Sequence, residues 1–172
     1  AMYTLAGTFL LFFLTSVAGI TPAAAGTIVA LGSVWEAICG PIVGFISDSI
    51  ETGYGKRKPF LIAAAFPVAL VTGLLFTVIN ASYGMKLAYY LVMTLLYWQS
   101  FATYFVPYLA WGSDLTQDYN ERTVLRTFAY VFNQIGMAMG LVLPTAFVDF
   151  LMNMGRSRES AWMLMGFTLG IS

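Results

Sequence analysis

Residues 31–60 read LGSVWEAICGPIVGFISDSIETGYGKRKPF, and this stretch holds the features that decide the fold. A long apolar run ends at Asp48, and a basic cluster follows at residues 56–58. Glu36 places a single carboxylic acid inside the apolar run. The run therefore needs an apolar surrounding that still tolerates one acid.

The composition excludes a water-soluble globule. Hydrophobic residues make up 59% of the 172 and charged residues 9%, with a mean hydropathy of +0.79. So little polar surface predicts an integral membrane protein. Eight basic residues balance eight acidic ones, which gives no indication of a nucleic-acid partner.

Residue types that carry catalysis and metal binding are scarce. The chain has no His and one Cys, which excludes an internal disulfide and disfavours haem, di-iron and most zinc chemistry. No constellation of nucleophile and base is evident. We therefore expect neither an enzyme nor a bound metal or organic cofactor.

Charges, Gly and Pro divide the chain into six apolar segments. A spanning helix needs about 20 mostly apolar residues. The segments are residues 1–19, 23–47, 59–80, 87–112, 126–149 and 160–172. They predict one all-α, multi-pass unit over residues 1–172, and the short first and last segments suggest a fragment with truncated terminal helices.

The basic residues also predict an orientation. Five of the eight belong to the connections at 48–58 and 114–125 and their flanks, and three belong to the other side. This bias places those two connections in the cytoplasm, with the plasma or inner membrane as the expected location.

Glu36 lies twelve residues before Asp48, about 18 Å along a helix at about 1.5 Å per residue. Half a hydrocarbon core is about 15 Å, so Glu36 is predicted near the bilayer midplane. Two interpretations compete. In one, a protonated Glu36 is hydrogen-bonded to a neighbouring helix; in the other, it binds and releases a proton or a cation. Gly32, Gly40 and Gly44 share its face and allow close packing or leave room for a ligand.

Two motifs resemble one transporter family. GFISD at 44–48 and GKRKP at 55–59 are similar to its helix two to three loop, and VPY at 106–108 with DLTQDYNERT at 114–123 to its helix four to five connection. The family is the glycoside-pentoside-hexuronide cation symporters, or melibiose permease-like proteins, of the major facilitator superfamily. The resemblance implies the N-terminal six-helix half of a twelve-helix transporter.

Charges in these motifs are candidates for a cytoplasmic gate. Such ionic contacts can latch two helical bundles in one of two alternating states. Alternatively they are topology signals and solvated loop charges, with Glu121 and Arg122 at a helix start capped by Asn120. The candidates are Gly44, Asp48, Gly55, Lys56, Arg57, Lys58, Asp114, Asp118, Glu121 and Arg122.

The resemblance also assigns Glu36 to the cation site. Sodium-coupled members carry two acids one helical turn apart, and the second falls on Gly40. A hard cation prefers several oxygen ligands, whereas one carboxyl can carry a proton. We expect Glu36 to couple transport to H⁺ or Na⁺, with the loss at Gly40 favouring the proton.

The solute site departs from the family pattern. The permease's sugar-binding acid falls on Phe105 and its helix-five arginine on Tyr130. Aromatic rings and carboxamides can still hold a sugar. The remaining candidates are Trp98, Tyr104, Tyr108, Tyr130, Asn133 and Gln134.

The preferred hypothesis is cation-coupled symport of a sugar or glycoside by alternating access. The expected partners are a small solute, the lipid bilayer and the protein's own C-terminal six-helix half. The alternatives are a carrier of another solute, such as an amphipathic lipid, and a membrane protein without transport activity.

Overall fold

The computed structural model describes residues 2–50, 58–114 and 118–171. Within these ranges the chain forms six helices and no strand. The first, α1, joins an α-helical turn Met2–Thr4, a π-helical turn Leu5–Phe9 and an α-helix Leu10–Ser16. The others are α2 (Pro22–Ser49), α3 (Lys58–Leu75), α4 (Tyr83–Asp114), α5 (Tyr119–Asn153) and α6 (Arg158–Ile171). The predicted all-α class and the number of helical segments are confirmed, whereas α3 ends at Leu75, before the predicted residue 80, and α4 begins at Tyr83, before the predicted residue 87.

Helix α5 begins earlier than the apolar pattern predicted. It starts at Tyr119 because the Asp118 carboxylate caps its first turn. Asp118 Oδ1 accepts hydrogen bonds from the backbone N–H groups of Asn120 at 2.8 Å and Glu121 at 3.0 Å. The predicted cap at Asn120 was therefore wrong, because that residue already lies inside the helix.

Helices α2 and α4 pack side by side in the same direction. Their contacts keep a nearly constant separation of 60 to 62 residues: Thr21 with Tyr83, Gly32 with Thr94, Cys39 with Gln99, and Gly44 with Val106. In antiparallel helices this separation would change steadily along the pair. We call this contact line the α2/α4 seam.

An aromatic cluster joins the ends of α1, α3, α4 and α6. The Phe13 ring lies 5.1 Å from Phe76, 6.1 Å from Tyr90 and 5.8 Å from Trp162. All four side chains are buried. Edge-on and offset rings at these distances add to the stabilisation from apolar burial.

The turn of α4 around residues 83–90 also bonds to three neighbours. Tyr83 shares a hydrogen bond of 2.9 Å with Thr21, and Lys86 Nζ donates to the Ala18 carbonyl at 3.2 Å. The hydroxyl of Tyr89 donates to the Leu74 carbonyl at 2.8 Å, at the end of α3. Two of these bonds end on backbone carbonyls, and together they tie the first turns of α4 to the connection before α2 and to the end of α3.

Large apolar side chains cover the outer faces of the bundle. Phe45 of α2 is 76% exposed and Phe132 of α5 is 70% exposed. Pro22–Ser49 and Asn120–Asn153 are each long and apolar enough to cross a bilayer. Such extended apolar faces are suited to lipid or to another protein surface, and not to water.

Candidate functional site

A cavity of about 280 Å³ opens on one flank of the α2/α4 seam. Glu36, Ser33 and Gly40 line it from α2, and Phe101, Phe105 and Val106 from α4. Glu36 is the one ionisable side chain on its wall among the residues described. The cavity is therefore an apolar recess with one acid, near the middle of α2.

The glycines of α2 divide into two kinds. A Cβ added at Gly32 would lie 2.6 Å from Thr94 Cγ2 and 2.8 Å from Trp98 Nε1, so this glycine allows α4 to pack closely. A Cβ added at Gly40 would meet no other atom within 4 Å, because Gly40 faces the cavity. Close packing and room for a ligand thus occur on the same helix, two turns apart.

The contacts of the Glu36 carboxyl distinguish between the two interpretations of this residue. The side chain is partly buried, and within the described ranges it accepts no hydrogen bond and forms no ion pair. The nearby Ser33 hydroxyl donates to the Val29 carbonyl at 3.2 Å within its own helix. The locked arrangement that one interpretation predicted, with Glu36 bonded to a neighbouring helix, does not occur among these residues.

The donor set suits a proton better than a metal ion. Glu36 and Ser33 are the side chains with oxygen atoms on the cavity wall among the residues described. Na⁺ and other hard cations take several oxygen ligands, whereas one carboxyl suffices to carry a proton.

Three of the predicted solute residues lie on α4, and they fall into two groups. Trp98 is only 5% exposed, and its ring packs on Tyr3 of α1 at 5.6 Å. Tyr104 and Tyr108 are exposed and stacked, with ring centroids 6.1 Å apart and planes within 6°. The two tyrosines therefore present a flat aromatic surface, while Trp98 belongs to the helix contact.

The three candidates on α5 are all exposed. Tyr130, Asn133 and Gln134 lie in the part of α5 that has little cover from the other described helices. Helix α5 makes few contacts with α4, so the structure does not bring these residues together with Tyr104 and Tyr108. Their proposed contact with solute remains a prediction.

The gate prediction is only partly within the described structure. Gly55, Lys56 and Arg57 lie outside the described residues, as do the side chains of Lys58 and Asp114. Asp48 is exposed in the last turn of α2, and Gly44 packs in the seam, where an added Cβ would lie 3.6 Å from Val106.

The α5 part of the gate motif is more fully described. Asp118 caps α5, which gives it a structural role, and Glu121 and Arg122 lie in the first turn. The ionic latch stays a prediction.

Sequence reasoning missed one polar contact on the seam. Cys39 Sγ donates a hydrogen bond to Gln99 Oε1 at 2.8 Å. The available signal was the carboxamide of Gln99 in the middle of an apolar span, where polar side chains commonly bond between helices. What the sequence did not reveal is which residue of α2 it meets.

Six mainly apolar helices, two of them long and apolar enough to cross a bilayer, with an acid-bearing cavity between α2 and α4, are typical of a multi-pass membrane protein. Comparison with known proteins identifies the family. The sequence profile described as MFS/sugar transport protein matches residues 1–171, and the chain belongs to this family. The resemblance to the cation symporters is thereby confirmed, as is the location in a membrane.

Several curated relatives are similar to the chain. It is 34% identical to an uncharacterised symporter of Synechocystis over 142 residues, which cover 78% of this chain and 26% of that protein. It is 27% identical to the isoprimeverose transporter of Lactiplantibacillus pentosus, over 98% of this chain and 35% of the relative. It is 28% identical to the sodium-dependent lysophosphatidylcholine symporter 1-A of Danio rerio, over 81% of this chain and 26% of that protein. The chain thus spans about a quarter to a third of these proteins.

Proposed function

We propose that this chain forms the first six of about twelve helices of a secondary transporter, which carries a sugar or glycoside together with a cation. The transporter lies in the plasma or inner membrane and is not an enzyme. Its solute crosses between this bundle and a second six-helix half that packs against the exposed apolar faces of α2 and α5.

One observation carries the proposal: the Glu36 carboxyl faces a cavity at mid-span and has no hydrogen-bond or ion-pair partner among the described residues. A charge in this setting is costly, and binding a cation removes that cost. Cation and solute together therefore favour the state in which the site is closed. Relatives named as symporters and as an isoprimeverose transporter support the same class of activity.

We propose H⁺ as the coupling ion in preference to Na⁺. Gly40 supplies no second carboxylate, and the walls opposite Glu36 are the apolar side chains of Phe101, Phe105 and Val106. A proton needs one carboxyl, whereas sodium needs additional oxygen ligands. The stacked rings of Tyr104 and Tyr108 are the surface on α4 best suited to the flat face of a pyranose.

A second candidate solute is a lysolipid. The same apolar walls suit an acyl chain, and the chain is similar to a sodium-dependent lysophosphatidylcholine symporter. Vesicles that contain the full-length protein, offered either fluorescent lysophosphatidylcholine or radiolabelled isoprimeverose, distinguish the two. If only the lipid accumulates, the solute in this proposal is a lysolipid and not a sugar, and the proposed role of Glu36 is unchanged.

The coupling role is tested by E36Q in the full-length protein, reconstituted in vesicles with an imposed pH or sodium gradient. We expect E36Q to lose gradient-driven accumulation while it retains exchange of solute across the membrane, because glutamine cannot titrate. E159Q is the matched control, since Glu159 is exposed in the first turn of α6. Uphill accumulation by E36Q at the rate of the unmodified protein would remove Glu36 from the mechanism.

A further inference from the structure

A thiol and a carboxamide meet across the α2/α4 seam beside the cavity. Cys39 Sγ donates to Gln99 Oε1 at 2.8 Å, and the Cys39 side chain is 3% exposed. Gly40, the next residue of α2, and Ala102, one turn after Gln99 on α4, both line the cavity. The hydrogen bond therefore lies at the edge of the recess that holds Glu36.

This hydrogen bond orients the carboxamide. A glutamine side chain has one carbonyl oxygen, which accepts, and one amide nitrogen, which donates twice. With the oxygen of Gln99 turned to the Cys39 thiol, the amide nitrogen points away from it. Within the described ranges this nitrogen donates no hydrogen bond.

A matching acceptor lies one helical turn away. Glu36 precedes Cys39 by three residues on α2, and side chains at this spacing are neighbours on a helix. The carboxyl oxygens of Glu36 accept no hydrogen bond from the residues described. One turn of the seam thus holds an amide donor and a carboxylate acceptor, each without a partner among these residues.

We propose that Gln99 is a positioning residue for the coupling acid. Its amide donates to the ionised Glu36 carboxylate after the coupling cation leaves, and Cys39 holds the amide in the orientation that makes this possible. Amide and cation then compete for the same oxygens. This inference rests on the proposed function of Glu36.

The other ionisable groups near the cavity carry no charge that would replace this donor. On α2 there is the Cys39 thiol. On α4 the Tyr97 ring stacks on Phe101 of the cavity wall at 6.3 Å, and on α1 the Tyr3 ring lies 5.8 Å from the same phenylalanine. A thiol and a phenol each offer one S–H or O–H donor and no positive charge. The Gln99 amide is thus the donor in this turn of the seam whose orientation the Cys39 hydrogen bond fixes.

The test measures the protonation of Glu36 directly by infrared difference spectroscopy of the full-length protein. The band of the protonated carboxyl is assigned as the one that E36Q removes. Removing the amide with Q99L destabilises the ionised form, so half-protonation should occur at a proton concentration about tenfold lower, as is typical of a lost hydrogen bond to a charge.

Two cysteine variants test the orienting role. C39A should shift half-protonation in the same direction by a smaller factor, because the amide then turns freely. C39S keeps a donor to Gln99 Oε1 and should restore the original value. N153A is the matched control, since it removes an exposed carboxamide at the end of α5.

A second substitution covers the case in which Q99L does not fold. Q99E keeps the side-chain shape but replaces the donor with an acid, so it should also favour protonation of Glu36. An unchanged midpoint in whichever of the two variants folds overturns the proposal. If those midpoints are unchanged while E36Q abolishes gradient-driven uptake, Gln99 does not position the carboxylate, and the coupling role of Glu36 stands. Unimpaired gradient-driven uptake by E36Q refutes the coupling role itself.

Discussion

Gly32 is the position where the structure makes its sharpest stability prediction. In G32A the new methyl group would lie 2.6 Å from Thr94 Cγ2, 2.8 Å from Trp98 Nε1 and 2.9 Å from Trp98 Cδ1. Real side chains do not approach this closely, so α2 and α4 must separate or Trp98 must move. The Trp98 ring has little freedom, because three neighbouring rings contact it: Tyr3, Tyr97 and Phe101.

The magnitude follows from two opposing effects. Replacing glycine by alanine inside a helix gains about 1 kcal/mol from helix propensity. Overpacking of a tight contact costs about 1 to 3 kcal/mol, and the restrained ring places G32A at the upper end. We expect a net destabilisation of about 2 kcal/mol.

The matched control is G26A on the same helix, where a new Cβ meets nothing within 4 Å. This variant should gain about 1 kcal/mol, a contrast of about 3 kcal/mol with G32A. Denaturant titration of the purified full-length protein in detergent, followed by circular dichroism, measures both variants. Equal stability of G32A and G26A would show that the seam is not packed as described.

Two further changes probe helix ends. D118A removes the carboxylate that accepts from the N–H groups of Asn120 and Glu121, and should cost about 1 kcal/mol in the same titration, whereas D118N should lose much less. Y90F keeps a fully buried ring but loses the hydroxyl that donates to the Thr77 carbonyl at 3.0 Å, at a cost of about 1 kcal/mol. Full stability of D118A would exclude the cap, and full stability of Y90F would exclude a contribution from that bond.

The helices and the position of Glu36 near the middle of α2 were predictable from local pattern. Apolar runs of about 20 residues have one stable form in a bilayer, because every backbone polar group must bond within the segment. The boundaries were less predictable: α5 extends to Tyr119 because Asp118 caps it, and residues 119–125 contain too many polar residues to read as a span.

The candidate site depended on which helices are neighbours. The position of Glu36 near the middle of α2 follows from counting residues along the sequence. The absence of a second acid at Gly40 is likewise evident from the sequence alone. The apolar wall of Phe101, Phe105 and Val106 belongs to α4, and only the parallel packing of the two helices brings it opposite Glu36.

Composition and periodicity along the chain determined that the protein lies in a membrane, how many helices it forms and that one acid lies within an apolar helix. These properties depend on the transfer of local segments from water into lipid. The seam, the cavity and the Cys39–Gln99 hydrogen bond depend on contacts between residues about 60 positions apart. Those contacts depend on how well the side chains of two helices fit together. Among the described residues, for example, Gly32 is the one glycine of α2 against which Trp98 packs. Such fit is a property of two surfaces together, and neither helix carries it alone.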